Sequence, residues 1–176
     1  MTLATITDTD ALFEALHASR AVDDEGGLSI LEHSLQCAQI LRVTRPDDAE
    51  LQLAGLVHDL GWLQGLDVAH EAAGCELVQN LLGDRIGALV GGHVAAKRYL
   101  LAVDPAYAGV LSARSEITLT FQGGVMGAAE VADFERRPDG DDLVALRRAD
   151  DAAKVRGKSV PGLDSWRAQV GRVAAR

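Results

Sequence analysis

The run LQLAGLVHDLGW, residues 51–62, reads as a helix that delivers an adjacent histidine and carboxylate, His58-Asp59, at its end. Neighbouring residues of a helix point about 100° apart, so both side chains reach one centre only where the chain is held against a buried site. Such a doublet invites a metal ion. Taken alone it reads equally as an imidazole N–H paired with a carboxylate near a helix end. Just upstream, Arg45-Pro46-Asp47-Asp48 breaks the chain, Asp47 or Asp48 can cap a helix over 49–60, and Gly61 ends it.

Residues 7–20 read as a first helix capped by Thr7, Asp8 or Thr9, with an apolar stripe Leu12, Phe13, Leu16 and a surface His17. The acidic, glycine-containing stretch 22–27 predicts a loop, after which Ser29 caps a helix running to about Val43. There Leu28, Leu31, Leu35, Ala38 and Leu41 recur at helical steps, and His33 lies near their face. Beyond the doublet, a helix over 68–82 carries His70, and Gly83-Asp84 separates it from a short helix ending near Gly91-Gly92. His93 opens the next helix, HVAAKRYLLAV, closed by Asp104-Pro105. Residues 112–121 predict a helix, although ITLTF has the β-branched content of a short strand. A turn at Gln122-Gly123-Gly124 precedes a helix over 126–135. After a break at 136–140, Asp141 or Asp142 caps a helix through Lys154 that carries Arg147 and Asp150, and 161–176 forms a last helix over the bundle.

Composition agrees with an all-α bundle. Of 176 residues 48% are apolar and only 4% aromatic, a balance that favours helices over strands in one domain. A net charge of −9 disfavours nucleic acid and anionic membrane as partners, so an anionic ligand must be met by a local cluster of Lys or Arg. Cys37 and Cys75 fall inside helical patterns without C-x-x-C spacing and read as buried free thiols. The start MTLATITDTD has neither a basic nor an apolar segment, and no run reaches the length of a membrane span; a cytoplasmic protein is expected.

Four of the five histidines, His33, His58, His70 and His93, fall beside or within apolar stripes, where each is costly without a partner. Imidazole and carboxylate without thiolate suit iron, manganese, zinc or nickel, and disfavour calcium, magnesium or an iron–sulfur cluster. Two ions fit this set, with Asp59 bridging through its two oxygens and Asp150 completing one shell from a separate helix.

The order His33, His58-Asp59, His70, His93, Asp150 resembles the HD-domain superfamily of all-α metalloproteins. LEHSLQCAQ, LAGLVHDLGW, HEAAG, HVAAKRYL, TLTFQGGVM, LRRADDAAKV and VPGLDSW together resemble one branch across nearly the whole chain. That branch is the PhnZ-type mixed-valent di-iron oxygenases of phosphonate breakdown, related to myo-inositol oxygenase. The resemblance implies a single HD domain over 1–176, with its metal-binding core at about 28–155 and a C-terminal helix at about 161–175. It implies two iron ions, Fe(II)/Fe(III), with O2 as co-substrate and His58 and Asp59 at the catalytic centre. His33, His58, Asp59 and Asp150 would hold one iron, and His70, His93 and the shared Asp59 the other.

Lys97 stands one turn after His93 and Arg147 three residues before Asp150, so both share a helix face with a ligand and can meet a dianion. The resemblance adds Ser115 to these phosphonate contacts. The chain also departs from the branch. A tyrosine and a substrate-reading glutamate of the branch fall on Asp23 and Gly26, and a histidine that follows the doublet falls on Trp62. Asp23, Asp24 and Glu25 could supply a carboxylate from a shifted loop, and Trp62 is either core packing or an aromatic face for a methylated amine. The expected reaction is O2-dependent cleavage of the carbon–phosphorus bond of a small 1-hydroxyphosphonate to phosphate and a carboxylate. Its substrate would be 2-amino-1-hydroxyethylphosphonate, the N-trimethyl analogue, or hydroxymethylphosphonate, with the acidic loop favouring an amine. The rival readings are a metal-dependent HD phosphohydrolase acting on a phosphate ester and a regulatory ligand-binding domain.

Overall fold

Side-chain caps start the first three helices. Asp8 accepts from the Ala11 N–H at 2.8 Å and opens α1 (Thr9–Ala18). Ser29 and Glu32 close a reciprocal cap, the serine hydroxyl accepting from the Glu32 N–H at 3.2 Å and the glutamate from the Ser29 N–H at 2.9 Å, and so open α2 (Ile30–Thr44). Asp48 accepts from the Leu51 N–H at 3.0 Å and opens α3 (Ala49–Val57).

The computed structural model describes residues 5–65 and 69–175. After α3 come α4 (His70–Leu82), α5 (Asp84–Val103), α6 (Ala113–Leu119), α7 (Ala128–Glu135), α8 (Gly140–Ala152) and α9 (Arg167–Ala174), with single 3-10 turns at Leu60–Gln64, Tyr107–Val110 and Leu163–Trp166. The expected all-α architecture is what forms. Its core is the layer in which α2 lies against α3 and α8 while α5 lies against α3, α4 and α8. Leu31, Leu41, Leu53, Val57, Val90, Leu143, Leu146 and Trp166 fill that layer.

Several expectations are corrected. The glycine pair Gly91-Gly92 does not divide two helices, because α5 runs unbroken through it. A Cβ on Gly92 would stand 2.7 Å from the Leu143 side chain, so the glycine is there to let α5 and α8 approach. By length and composition α5 could cross a membrane, contrary to the sequence expectation, but more than half of that window is buried in the bundle. The loop at 22–27 contains an antiparallel hairpin, β1 (Asp23–Glu25) with β2 (Leu28–Ser29), turned by Gly26 and Gly27 at φ +64° and +84°.

The helix bearing the doublet ends at Val57, three residues short of expectation, and His58 and Asp59 occupy the junction with the following 3-10 turn. Gly61 lies inside that turn, where an added Cβ would meet the His70 carbonyl oxygen at 1.8 Å, so only glycine lets the start of α4 come this close. The expected helix from Val68 begins at His70, Val68 itself being outside the described residues. α8 begins at Gly140 after Asp139, whose carboxylate is bound by Arg137, while Asp141 and Asp142 sit in its first turn. The C-terminal segment opens with a 3-10 turn before α9, with Arg176 outside the described residues. Cys37 is buried, whereas Cys75 is only half-buried, its Sγ 3.2 Å from Gln79 Oε1. His17 is exposed, as expected.

Candidate metal centre

Four helices and one helix junction bring the expected ligands together. α2 supplies His33, the junction after α3 supplies His58 and Asp59, α4 opens on His70, α5 carries His93 at mid-length, and α8 carries Asp150. All six are at most 6% exposed. The ring nitrogens face one another in two pairs, His33 Nε2 to His58 Nε2 at 3.2 Å and His70 Nε2 to His93 Nε2 at 3.1 Å.

The opposite nitrogens of three rings point at main-chain carbonyls. His58 Nδ1 is 2.9 Å from Gly55 O, His93 Nδ1 is 2.7 Å from Val90 O, and His33 Nδ1 is 3.3 Å from Ala153 O. A carbonyl can only accept, so each of these Nδ1 atoms carries a proton and Nε2 is the nitrogen left to meet an ion. Lone pairs converging at about 3 Å repel unless a cation stands among them.

Asp59 lies between the two pairs. Its Oδ2 is 3.6 Å from His33 Nε2 and 3.4 Å from His58 Nε2, while its Oδ1 is 3.4 Å from His70 Nε2 and 3.8 Å from His93 Nε2. Asp150 belongs to the first pair, with Oδ1 3.2 Å from His33 Nε2 and 3.9 Å from His58 Nε2. His33, His58 and Asp59 can thus hold one ion, and Asp59, His70 and His93 a second.

The electrostatics fit cations here. Burial pulls His70 down to about 4, and burial with its histidine neighbours pulls His93 down to about 3, so both rings are neutral and could ligate an ion. Burial also pulls on His33, but Asp150, Asp59 and Asp24 outweigh it and hold its pKa above the ordinary value. Burial pushes Asp59 up, yet His58, His70 and His33 hold it far below the usual carboxylate range. Asp150 is held down in the same way, chiefly by Arg147.

The centre opens into a narrow cleft of about 30 Å³, lined by Asp59, His70, His93 and Asp150 at its floor and by Lys97, Ser115 and Arg147 on its wall. Lys97 is only 2% exposed, and its ammonium is held by uncharged acceptors: Ser115 O at 3.1 Å, Thr118 Oγ1 at 3.2 Å and Gln122 Oε1 at 2.5 Å. Burial, with Arg147 nearby, lowers its pKa to about 8. Arg147 is more fully engaged, pairing with Asp150 Oδ2 at 2.9 Å and with Asp151, and donating to Tyr107 Oη at 2.9 Å and Ser115 Oγ at 3.3 Å.

At the mouth, β1 turns Asp24 inward and Asp23 outward, Asp23 accepting from the Gly27 N–H at the hairpin turn. Asp24 lines the cleft, and its Oδ2 has no hydrogen-bond partner among the described residues although it is buried. Burial raises its pKa. Glu25 instead accepts from the Arg114 main-chain N–H at 3.3 Å and lies 3.9 Å from Lys154 Nζ. Trp62 is stacked on His70, ring centroids 4.3 Å apart, and the Arg114 guanidinium lies 4.1 Å from its ring. With these two groups against it the indole is only 9% exposed.

Arg114, Lys154, Gln122 and Asp151 were not among the candidates read from the sequence. Lys154 follows Asp150 by four residues and Asp151 follows Arg147 by four, a helical spacing that could have marked both. Nothing local marks Arg114, which reaches the cleft because the hairpin carbonyls of Asp23 and Asp24 accept from its guanidinium.

No family model matches the chain. Among curated proteins it is 33% identical over 173 residues to the hydroxymethylphosphonate dioxygenase of Gimesia maris, covering 91% of this chain and 85% of that one. It is 36% identical over 149 residues to the glycine-betaine-forming 1-hydroxy-2-(trimethylamino)ethylphosphonate dioxygenase of Leisingera caerulea, covering 79% and 74%. An uncharacterised protein of Acanthamoeba polyphaga mimivirus is 31% identical over 149 residues, covering 78% and 68%.

Proposed function

The chain belongs to the PhnZ-type HD-domain phosphonate dioxygenases, and we propose that it cleaves the carbon–phosphorus bond of a small 1-hydroxyphosphonate with O2, releasing phosphate and a carboxylate. The observation that carries this reading is the division of the two Asp59 oxygens between two pairs of inward-facing imidazoles, in one cleft with a buried lysine whose hydrogen-bond partners among the described residues are all uncharged. His33, His58, Asp59 and Asp150 would hold one iron, and His70, His93 and Asp59 the other. Iron, when bound, supplies the affinity for O2 and the one-electron chemistry that no side chain can provide.

What the chain does is bind and orient. Lys97 offers a charged ammonium in a place with little water, where its attraction for a phosphonate dianion is strong. Ser115 presents its hydroxyl beside it, held by Arg147. Because Asp150 and Asp151 already neutralise Arg147, its part is to aim Asp150 and Ser115 and to add positive potential.

The mouth supports a small uncharged end group. Arg114 and Lys154 stand there against Asp24, so no surplus of negative charge awaits an ammonium, and the Trp62 ring already carries the Arg114 guanidinium where a methylated amine would need to sit. Hydroxymethylphosphonate fits this mouth ahead of the amino and trimethylamino compounds. With that substrate one O2 converts one molecule to formate and phosphate, with no other reductant consumed.

O2 uptake by the iron-loaded protein, measured beside phosphate release, tests the proposal across the three phosphonates and a phosphate monoester. Equal uptake and release, fastest with hydroxymethylphosphonate, is the expected result. Phosphate released from the monoester without O2 uptake would replace the oxygenase by a phosphohydrolase.

A further inference from the structure

The histidines of the centre differ in how their outer nitrogens are held. His58 and His93 each use the carbonyl three residues earlier, Gly55 and Val90, and His33 uses Ala153 at 3.3 Å with the Asp24 carboxylate farther away at 3.8 Å. His70 is the first residue of α4, so no turn of its own helix precedes it to offer a carbonyl. Its Nδ1 instead lies 3.4 Å from Oε2 of Glu71. Both atoms are buried and neither has a hydrogen-bond partner among the described residues. A buried ring nitrogen and a buried carboxylate oxygen left facing each other need only a small rotation to satisfy both.

The two halves of the centre also differ in charge. Among the described residues, the His33 and His58 pair has Asp150 to itself and shares Asp59, whereas the His70 and His93 pair has the shared Asp59 alone. We infer that Glu71 is the positioning residue of the His70 half: its carboxylate accepts the Nδ1 proton of His70, aims Nε2 at the second ion, and supplies through the ring the negative charge that this half otherwise lacks. Carboxylates behind ligating imidazoles act in this way, and their loss weakens metal binding by about 10- to 100-fold. The inference rests on the two-ion reading proposed above. A purely structural role is the alternative, since an acidic residue in the first turn of α4 also favours the helix dipole.

Metal binding separates these. The metal-free chain and its Glu71→Gln and Glu71→Ala variants are titrated with Co(II) by calorimetry, and proton NMR of the Co(II) forms follows the exchangeable imidazole N–H signals shifted by the metal. Both variants are expected to bind one ion as the wild type does and the other about 10- to 100-fold more weakly. One N–H signal should move or exchange faster while the rest hold their positions. Two ions in the wild type with equal affinities in all three proteins, or equal weakening of both ions, overturns the role of Glu71 and leaves the centre standing. A wild type that binds fewer than two ions overturns the two-ion reading and this inference with it. Should Glu71→Ala fail to fold, the isosteric Glu71→Gln decides alone.

Discussion

The floor of the cleft and its roof are built by opposite means. The floor stands on α2, α5 and α8, helices of 15, 20 and 13 residues, and three of its imidazoles are fixed by main-chain carbonyls. The roof is α6, seven residues long, and a hairpin whose first strand has three. Side-chain bonds fasten it: Lys97 reaches up to Ser115 and Thr118, and Arg114 reaches across to the hairpin carbonyls. α6 and the turn that follows it also leave Ile117 and Phe121 about two-thirds exposed, at 65% and 67%. A floor of this kind cannot shift without disturbing the core, whereas a roof held by a few side chains can be altered one residue at a time. On the function proposed, metal chemistry would rest on the most buried elements and substrate choice on the least buried.

That contrast can be broken most decisively at Asp59. Asp59→Ala should abolish O2 uptake and strip both ions, because each of its oxygens serves one histidine pair. Elemental analysis checks this, and a variant that kept two ions would show the floor to be wrongly assigned.

Next in size comes Arg147, which joins floor to wall. Arg147→Ala leaves the buried Asp150 and Asp151 without their cation, a loss of about 3–5 kcal/mol of folding stability. Urea unfolding measures it. A change within about 0.5 kcal/mol would mean that the pair is not held as described.

Lys97→Ala should weaken phosphonate binding by about 1.5–3 kcal/mol, roughly tenfold or more, with metal content unchanged. Binding also acquires a pH dependence from this residue. Its folded pKa is about 8 against an ordinary 10.5, so the ammonium is lost, and affinity should fall, as the pH rises through about 8. The stability effect has the opposite sign: between 8 and 10.5 the unfolded chain holds the proton that the folded chain has released, so folding is favoured as the pH rises across that window. Calorimetric titrations of wild type and Lys97→Ala across this range should differ in slope, and parallel slopes would remove Lys97 from the binding site.

The smallest effects belong to the roof's outer parts. Arg114→Ala removes the guanidinium from the Trp62 ring and should change hydroxymethylphosphonate turnover only a few-fold, while raising turnover of the trimethylamino substrate relative to it. Unchanged selectivity would leave Arg114 as a fastening of the hairpin alone. Phe121→Ser, at an exposed position, should alter stability by less than about 0.5 kcal/mol.

The sequence by itself determined the helical architecture, the helix start at Ser29 and a start at Asp47 or Asp48, and the gathering of four histidines and two aspartates about one centre. Caps and apolar periodicity are local, and an imidazole on an apolar stripe has to find its partner inside the bundle. Tertiary structure alone decided whether Gly91-Gly92 ends a helix or passes one, because the answer lies with Leu143 on α8, and it alone gave Gly61 its purpose, which is the approach of α4. It also decided that Asp24 faces the cleft while Asp23 does not, that Arg114 covers Trp62, and that Glu71 is the group behind His70. Each of these depends on which face of a short segment meets a helix far away in the chain, and three-residue strands and single turns carry too few residues for a period to reveal that face.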